Sequence, residues 1–191
     1  MNETVRDYVT VVAGVPRSGT SVAMQMLAAG GLEVLTDAVR QADADNPRGY
    51  LEFEPVKQTK EDPSWVRGAV GKAVKMVYRL LYDLPAGYEY RVVFTKRKLE
   101  ESVASQRRMM ERSGREVKDD DARMVELFRR GVQKCEGWLA GRANFRVLFV
   151  DYNLLVADPR PYAEQISAFL DGLDVESMVG AVDPSLYRNR K

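Results

Sequence analysis

Gly14-Val15-Pro16-Arg17-Ser18-Gly19-Thr20-Ser21 closes an apolar run, Tyr8 to Ala13, and opens a helix with apolar periodicity. The spacing Gly-x4-Gly followed by Thr-Ser lets successive backbone N–H groups and the positive end of the following helix wrap an anion such as phosphate. A nucleotide-kinase loop places lysine directly after the second glycine, where it reaches the terminal phosphates of ATP or GTP. Here Thr20 holds that position, and the charge sits inside the loop at Arg17. Arg17 offers a permanent, forked guanidinium to a phosphate or a sulfate-bearing group. The same letters also suit a tight glycine-rich turn with no ligand. The order strand, loop, helix is the one that anion binding needs.

Outward from this loop, apolar β-rich segments alternate with helical patterns, the mark of βαβ units. The pattern predicts an α/β fold, a three-layer P-loop NTPase-like sandwich with a mostly parallel central sheet. Strands are expected at Tyr8 to Ala13, near Leu32 to Leu35, and at Gly71 to Val77, Tyr90 to Thr95 and Phe145 to Val150. Helices are expected over Ser21 to Ala29, Leu99 to Arg112, Asp119 to Ala140 and Tyr162 to Leu170. Asp119-Asp120-Asp121 opens the longest of these, where negative charge suits a helix N-terminus. Asp43 to Glu54, carrying Asn46-Pro47-Arg48-Gly49, reads as an exposed loop of the kind that bears function on a rigid scaffold.

A chain of 191 residues with 45% hydrophobic content can bury one good core, so a single domain spanning residues 1–191 is expected. The net charge of +1, from 29 basic and 28 acidic residues, gives no global field directed at nucleic acid or an anionic membrane. Anion binding must therefore be local. The single Cys135 excludes an internal disulfide framework. No apolar stretch approaches the roughly 20 residues of a membrane span. Met1 to Asp7 lacks the basic start and apolar run of a signal peptide, so a cytoplasmic setting is expected. Cys135, Trp65 and Trp138 read as packing groups, and no metal site is expected. The long helices could pack internally or across a dimer, which leaves the oligomeric state open.

Pro16-Arg17-Ser18-Gly19-Thr20-Ser21 resembles the 5′-phosphosulfate loop of the sulfotransferases that use 3′-phosphoadenosine 5′-phosphosulfate (PAPS). That family has a second signature, an arginine closing a strand and a serine eight residues later, which binds the donor's 3′-phosphate. Arg97 and Ser105 stand at that spacing, after the strand Arg91 to Thr95. Independently of the family, Arg97 would emerge at the carboxyl edge of a strand, where open α/β sheets bind ligands, with Ser105 two turns along the next helix. Gly71 to Val77 is similar to the segment that delivers a catalytic lysine, here Lys75.

The cytosolic branch of the family carries histidine two residues later; here that position is Val77, and the chain has no histidine. Other branches use a downstream glutamate. In Tyr50-Leu51-Glu52-Phe53-Glu54 two carboxylates stand two residues apart, so an extended segment would point both to one side. Glu52 is the expected base and Glu54 the reserve. Phe149 to Pro159 resembles the strand-end segment Tyr-Glu-Asp-Leu-x-x-Asp-Pro, with Asn153 and Leu154 in place of the acidic pair, and reads as structural. The tail Tyr187 to Lys191 is similar to the family's basic closing loop but lacks its Arg-Lys-Gly pattern.

The resemblance implies a sulfotransferase that moves a sulfuryl group from PAPS to a hydroxyl or amine, leaves PAP, and needs no metal. It implies donor binding by Arg17, Ser18, Gly19, Thr20, Ser21, Arg97 and Ser105, and catalysis by Glu52, Lys75 and Arg17. The acceptor would be a small molecule or a glycan, its pocket shaped by loops at Asp43 to Trp65 and Ser113 to Asp121. A P-loop nucleotide kinase or NTPase, and a PAP-binding protein without catalysis, share the same loop geometry.

Overall fold

Four strands form the centre of the computed structural model: β1 (Tyr8–Gly14), β2 (Ala73–Val77), β3 (Glu89–Lys96) and β4 (Phe145–Asp151). All are parallel, in the order β2-β1-β3-β4. The structure describes residues 6–37, 49–114 and 120–183. In chain order the helices are α1 (Thr20–Ala29), α2 (Trp65–Gly68), α3 (Leu99–Arg112), α4 (Asp121–Ala140), α5 (Tyr152–Ala157), α6 (Arg160–Phe169) and α7 (Val175–Gly180).

Every residue of β1 is buried, as a central parallel strand covered on both faces requires. Its side chains alternate between the two faces. Val9, Val11 and Ala13 join Val74, Met76, Val92 and Phe94 under α3 and α4, while Val12 and Val93 pack against Met24 and Leu27 of α1 and Leu155 of α5. The sheet is thus the middle of three layers. Cys135 lies within the α4 side of this core, and burial pushes its thiol up to about 11, which suits a packing role.

Three expected boundaries shift for local reasons. Leu32 to Leu35 is not a strand: the chain meets the sheet at one bridge, Val34 to Ala73, closed by Leu35 N–H to Ala73 C=O and Ala73 N–H to Glu33 C=O. The longest helix starts at Asp121 with Asp120 as its cap, and Asp119 lies outside the described residues. α6 begins at Arg160, because Pro161 occupies an early helical position whose missing N–H costs nothing.

The topology locates a crevice. From β1 the chain moves to β2 on one side, then to β3 on the other, so the connections after β1 and β3 leave in opposite directions. α1 covers one face of the sheet and α3 the other. Ligands of open α/β sheets sit at such a switch point, beyond the carboxyl ends of the strands.

Candidate active site

The crevice at the switch point is a cleft of about 390 Å³. Arg17, Gly19, Thr20, Ser21, Glu52, Lys75, Arg97 and Ser105 all line it. Ser18 and Glu54 do not. Parallel pairing explains the convergence, because the register sets Gly14 beside both Val77 and Thr95, and Lys96 beside Asp151. The segments that follow or close the four strands therefore leave one edge of the sheet together.

Within the β1–α1 loop each residue has a distinct task. Ser18 is fully buried; its hydroxyl shares a 2.8 Å hydrogen bond with Thr95 Oγ1, and its N–H donates to Val15 C=O. It ties the loop to β3 and turns its amide away from the cleft. Gly14 leaves room for this contact, since a Cβ there would lie 2.7 Å from the Thr95 carbonyl oxygen. Gly19 caps α1 at φ 97°, with the Tyr152 ring packed where a Cβ would stand. No side chain caps the helix, so the first-turn amides of Thr20 and Ser21 have no intrahelical partner. Arg17 holds a left-handed φ of 67°, which costs a non-glycine residue on the order of 1 kcal/mol.

Two further contacts hold Arg17 in that conformation. Arg97 Nη1 donates to the Arg17 carbonyl at 3.1 Å, and Arg17 Nε donates to Ser105 Oγ at 3.1 Å. The arginine of the first loop and the arginine–serine pair of the second are thus one hydrogen-bonded unit. Arg97 is itself locked, with its side chain 6% exposed: Nε donates to Glu101 Oε2 at 3.0 Å, and the guanidinium stands 4.9 Å over the Tyr152 ring. Glu101, 1% exposed, also accepts from Asn153 Nδ2 at 3.0 Å, while Asn153 Oδ1 accepts from the Lys98 N–H.

Lys75 reaches the cleft from the middle of β2 with 9% of its side chain exposed. Its ammonium donates to the Tyr50 carbonyl and lies 3.4 Å from both Glu52 Oε1 and Ser21 Oγ. One cation therefore touches the expected base and the phosphate loop at once. Glu54 goes elsewhere: its carboxylate pairs with Lys57 at 2.6 Å on the surface. The two glutamates do not share a side: Glu52 lines the cleft, whereas Glu54 already belongs to a 3-10 turn, Glu54–Gln58.

Several cleft residues were not anticipated. Arg108, Met109 and Arg112 line it with Ser105, at offsets of three, four and seven that define one face of α3. Tyr152 buttresses Gly19 and Arg97 from the start of α5. Gln106 also lines the wall, with its Oε1 buried and without a hydrogen-bond partner. Gly19→Ala is expected to destabilise the protein by roughly 2–4 kcal/mol, from positive-φ strain plus overlap with the Tyr152 ring. Chemical denaturation checks this, and an unchanged midpoint would contradict the packing of Tyr152 on the loop.

No protein-family model and no curated sequence matches the chain. Solved structures do. The sulfotransferase domain from the olefin synthase of Synechococcus PCC 7002 superposes with a TM-score of 0.58 at 15% identity, over 97% of this chain and 88% of that one. A mouse sulfotransferase complexed with PAP gives 0.56 at 16% identity, over 97% and 67%. The sulfotransferase domain from the curacin biosynthetic pathway gives 0.55 at 13% identity, over 94% and 79%. The fold is that of the sulfotransferases. In the sulfotransferase fold as this chain builds it, the β1–α1 loop, the end of β2 and the β3–α3 junction share one cleft. Among the described residues there is no group of three or more Asp, Glu, Cys or His that could hold a metal, and no helix long and apolar enough to cross a membrane.

Proposed function

We propose that the chain is a PAPS-dependent sulfotransferase that sulfates a hydroxyl group on a small apolar body. The observation that carries this reading is the joining of Arg17, Arg97 and Ser105 into one hydrogen-bonded unit beside Lys75 and Glu52. Thr20, Ser21 and Arg17 bind the 5′-phosphosulfate, and Arg97 with Ser105 binds the 3′-phosphate. Glu52 accepts the proton of the acceptor hydroxyl as its oxygen attacks sulfur. Lys75 stabilises the bridging oxygen that keeps the electron pair when its bond to sulfur breaks, so PAP leaves as the new sulfate ester forms.

The lining supports an uncharged acceptor. Arg17, Arg97, Arg108 and Arg112 line the cleft and complement the roughly four negative charges of the donor, while Lys57 pairs with Glu54 and Lys75 with Glu52. Next to Lys75 and Glu52 the wall is Phe53, Val56, Met76, Val77 and Leu80, which suits an apolar body better than a glycan. The test is release of PAP from PAPS with a neutral phenol such as 2-naphthol, against N-acetylglucosamine. Faster turnover with the phenol is expected. Equal or faster turnover with the sugar would overturn the acceptor class, and no PAP release with either, in protein that binds PAP, would overturn catalysis.

A further inference from the structure

Asn153 stands where the sequence departs from the family's acidic strand-end segment, and the proposed chemistry gives it no task. Its surroundings do. Asn153 Nδ2 donates to Glu101 Oε2 at 3.0 Å, and the same oxygen accepts from Arg97 Nε at 3.0 Å. Asn153 Oδ1 takes the Lys98 N–H at 3.2 Å, which anchors the amide to the β3–α3 junction. Glu101 is 1% exposed, and a carboxylate so buried is retained only with partners that compensate its charge and fill its lone pairs. With Nε given to Glu101 and Nη1 to the Arg17 carbonyl, the rotation of the Arg97 guanidinium is fixed at two points.

We propose that Glu101 and Asn153 are positioning residues that aim Arg97 at the donor's 3′-phosphate. This rests on the assignment of Arg97 to that phosphate. Asn153 acts through Glu101: an amide in this place donates a hydrogen bond, whereas a carboxylate would set two like charges against each other beside Arg97. The pair therefore discriminates ligands that carry a 3′-phosphate from those that lack one, and leaves the 5′ end to the β1–α1 loop.

Calorimetric titration with PAP and with AMP, which lacks the 3′-phosphate, separates positioning from general structural support. Glu101→Ala is expected to weaken PAP about tenfold or more and to leave AMP within about threefold, while Glu101→Gln, which keeps the acceptor oxygen, restores most of the PAP affinity. Asn153→Asp guards against a Glu101→Ala variant that fails to fold. Two carboxylates about 3 Å apart resist ionising together, so they share a proton at low pH and repel once it is lost. Among the described residues, charged or titratable groups near this pair include Arg97 and Lys98 from the β3–α3 junction, Arg17 from the loop, and Asp151 and Tyr152 from the β4–α5 junction.

The ratio of Asn153→Asp to wild-type PAP dissociation constants is therefore expected to rise between about pH 5.5 and pH 8.5; the ratio cancels titration of the phosphate itself. Equal losses for PAP and AMP, or a pH-independent ratio of one, would overturn the proposal while leaving the proposed function standing. A wild-type protein that binds PAP no more tightly than AMP would overturn both.

Discussion

Arg97→Ala is expected to weaken PAP binding by roughly a hundredfold and to lower the stability of the protein as well. Hydrogen bonds from a charged donor contribute about 1.5–3 kcal/mol each, and the upper end of that range is a factor of about 150 in affinity. The stability loss has a separate origin. Removing the guanidinium breaks its ion pair with Glu101, whose side chain is 1% exposed, and breaking a buried pair costs about 3–5 kcal/mol. The double variant Arg97→Met with Glu101→Gln separates the two effects, since it removes the charge together with its partner. It should regain most of the thermal midpoint and none of the PAP affinity. A cooperative Arg97→Ala variant that binds PAP as the wild type does would remove Arg97 from the donor site.

Lys75→Met is expected to have the opposite signature, a loss of turnover without a matching loss of donor binding. Lys75 Nζ sits 3.4 Å from both Ser21 Oγ and Glu52 Oε1, between the loop assigned to the phosphosulfate and the group assigned to the acceptor proton. A cation there acts on charge that develops only as the sulfur–oxygen bond breaks. Removing one preorganised donor of this kind typically lowers kcat by about a hundred- to a thousandfold. Methionine keeps the apolar stem packing of a side chain only 9% exposed, so the fold should tolerate the exchange. The Tyr50 carbonyl also loses its ammonium partner, so a modest rise in KM for the acceptor is expected too. Measured kcat and PAP affinity decide the matter. A PAP affinity that falls as far as kcat would make Lys75 a binding residue, and an unchanged kcat would exclude it from the chemistry.

What the sequence disclosed about this site follows the range of the interactions involved. The β1–α1 loop was legible because Gly14, Arg17, Gly19 and Thr20 act through local backbone geometry. Arg97 and Ser105 were legible through their resemblance to the family's second signature, an arginine closing a strand and a serine eight residues later. Ser18 was not: its hydroxyl belongs to Thr95, a partner chosen by the register of β1 against β3. An extended chain would set Glu52, the expected base, and Glu54, its reserve, on one side. Instead Lys75 of β2 meets Glu52 in the cleft, while Glu54 opens a 3-10 turn and pairs with Lys57 at the surface. Arg108 and Arg112 show their spacing in the sequence, but only the docking of α3 on the sheet decides which face looks into the cleft. Residues 43–48 and 115–119 of the expected acceptor loops and the basic tail 187–191 lie outside the described residues.

The central claim is that this cleft holds a nucleotide with phosphates at both its 5′ and 3′ positions. Calorimetric titration of the wild-type protein with PAP, with AMP and with ATP–Mg²⁺ tests it most directly. PAP is expected to bind at least about tenfold more tightly than AMP, the contribution of a 3′-phosphate meeting Arg97 and Ser105, and more tightly than ATP–Mg²⁺. Tight binding of ATP–Mg²⁺ with no preference for PAP over AMP would contradict the claim and return the loop to the kinases.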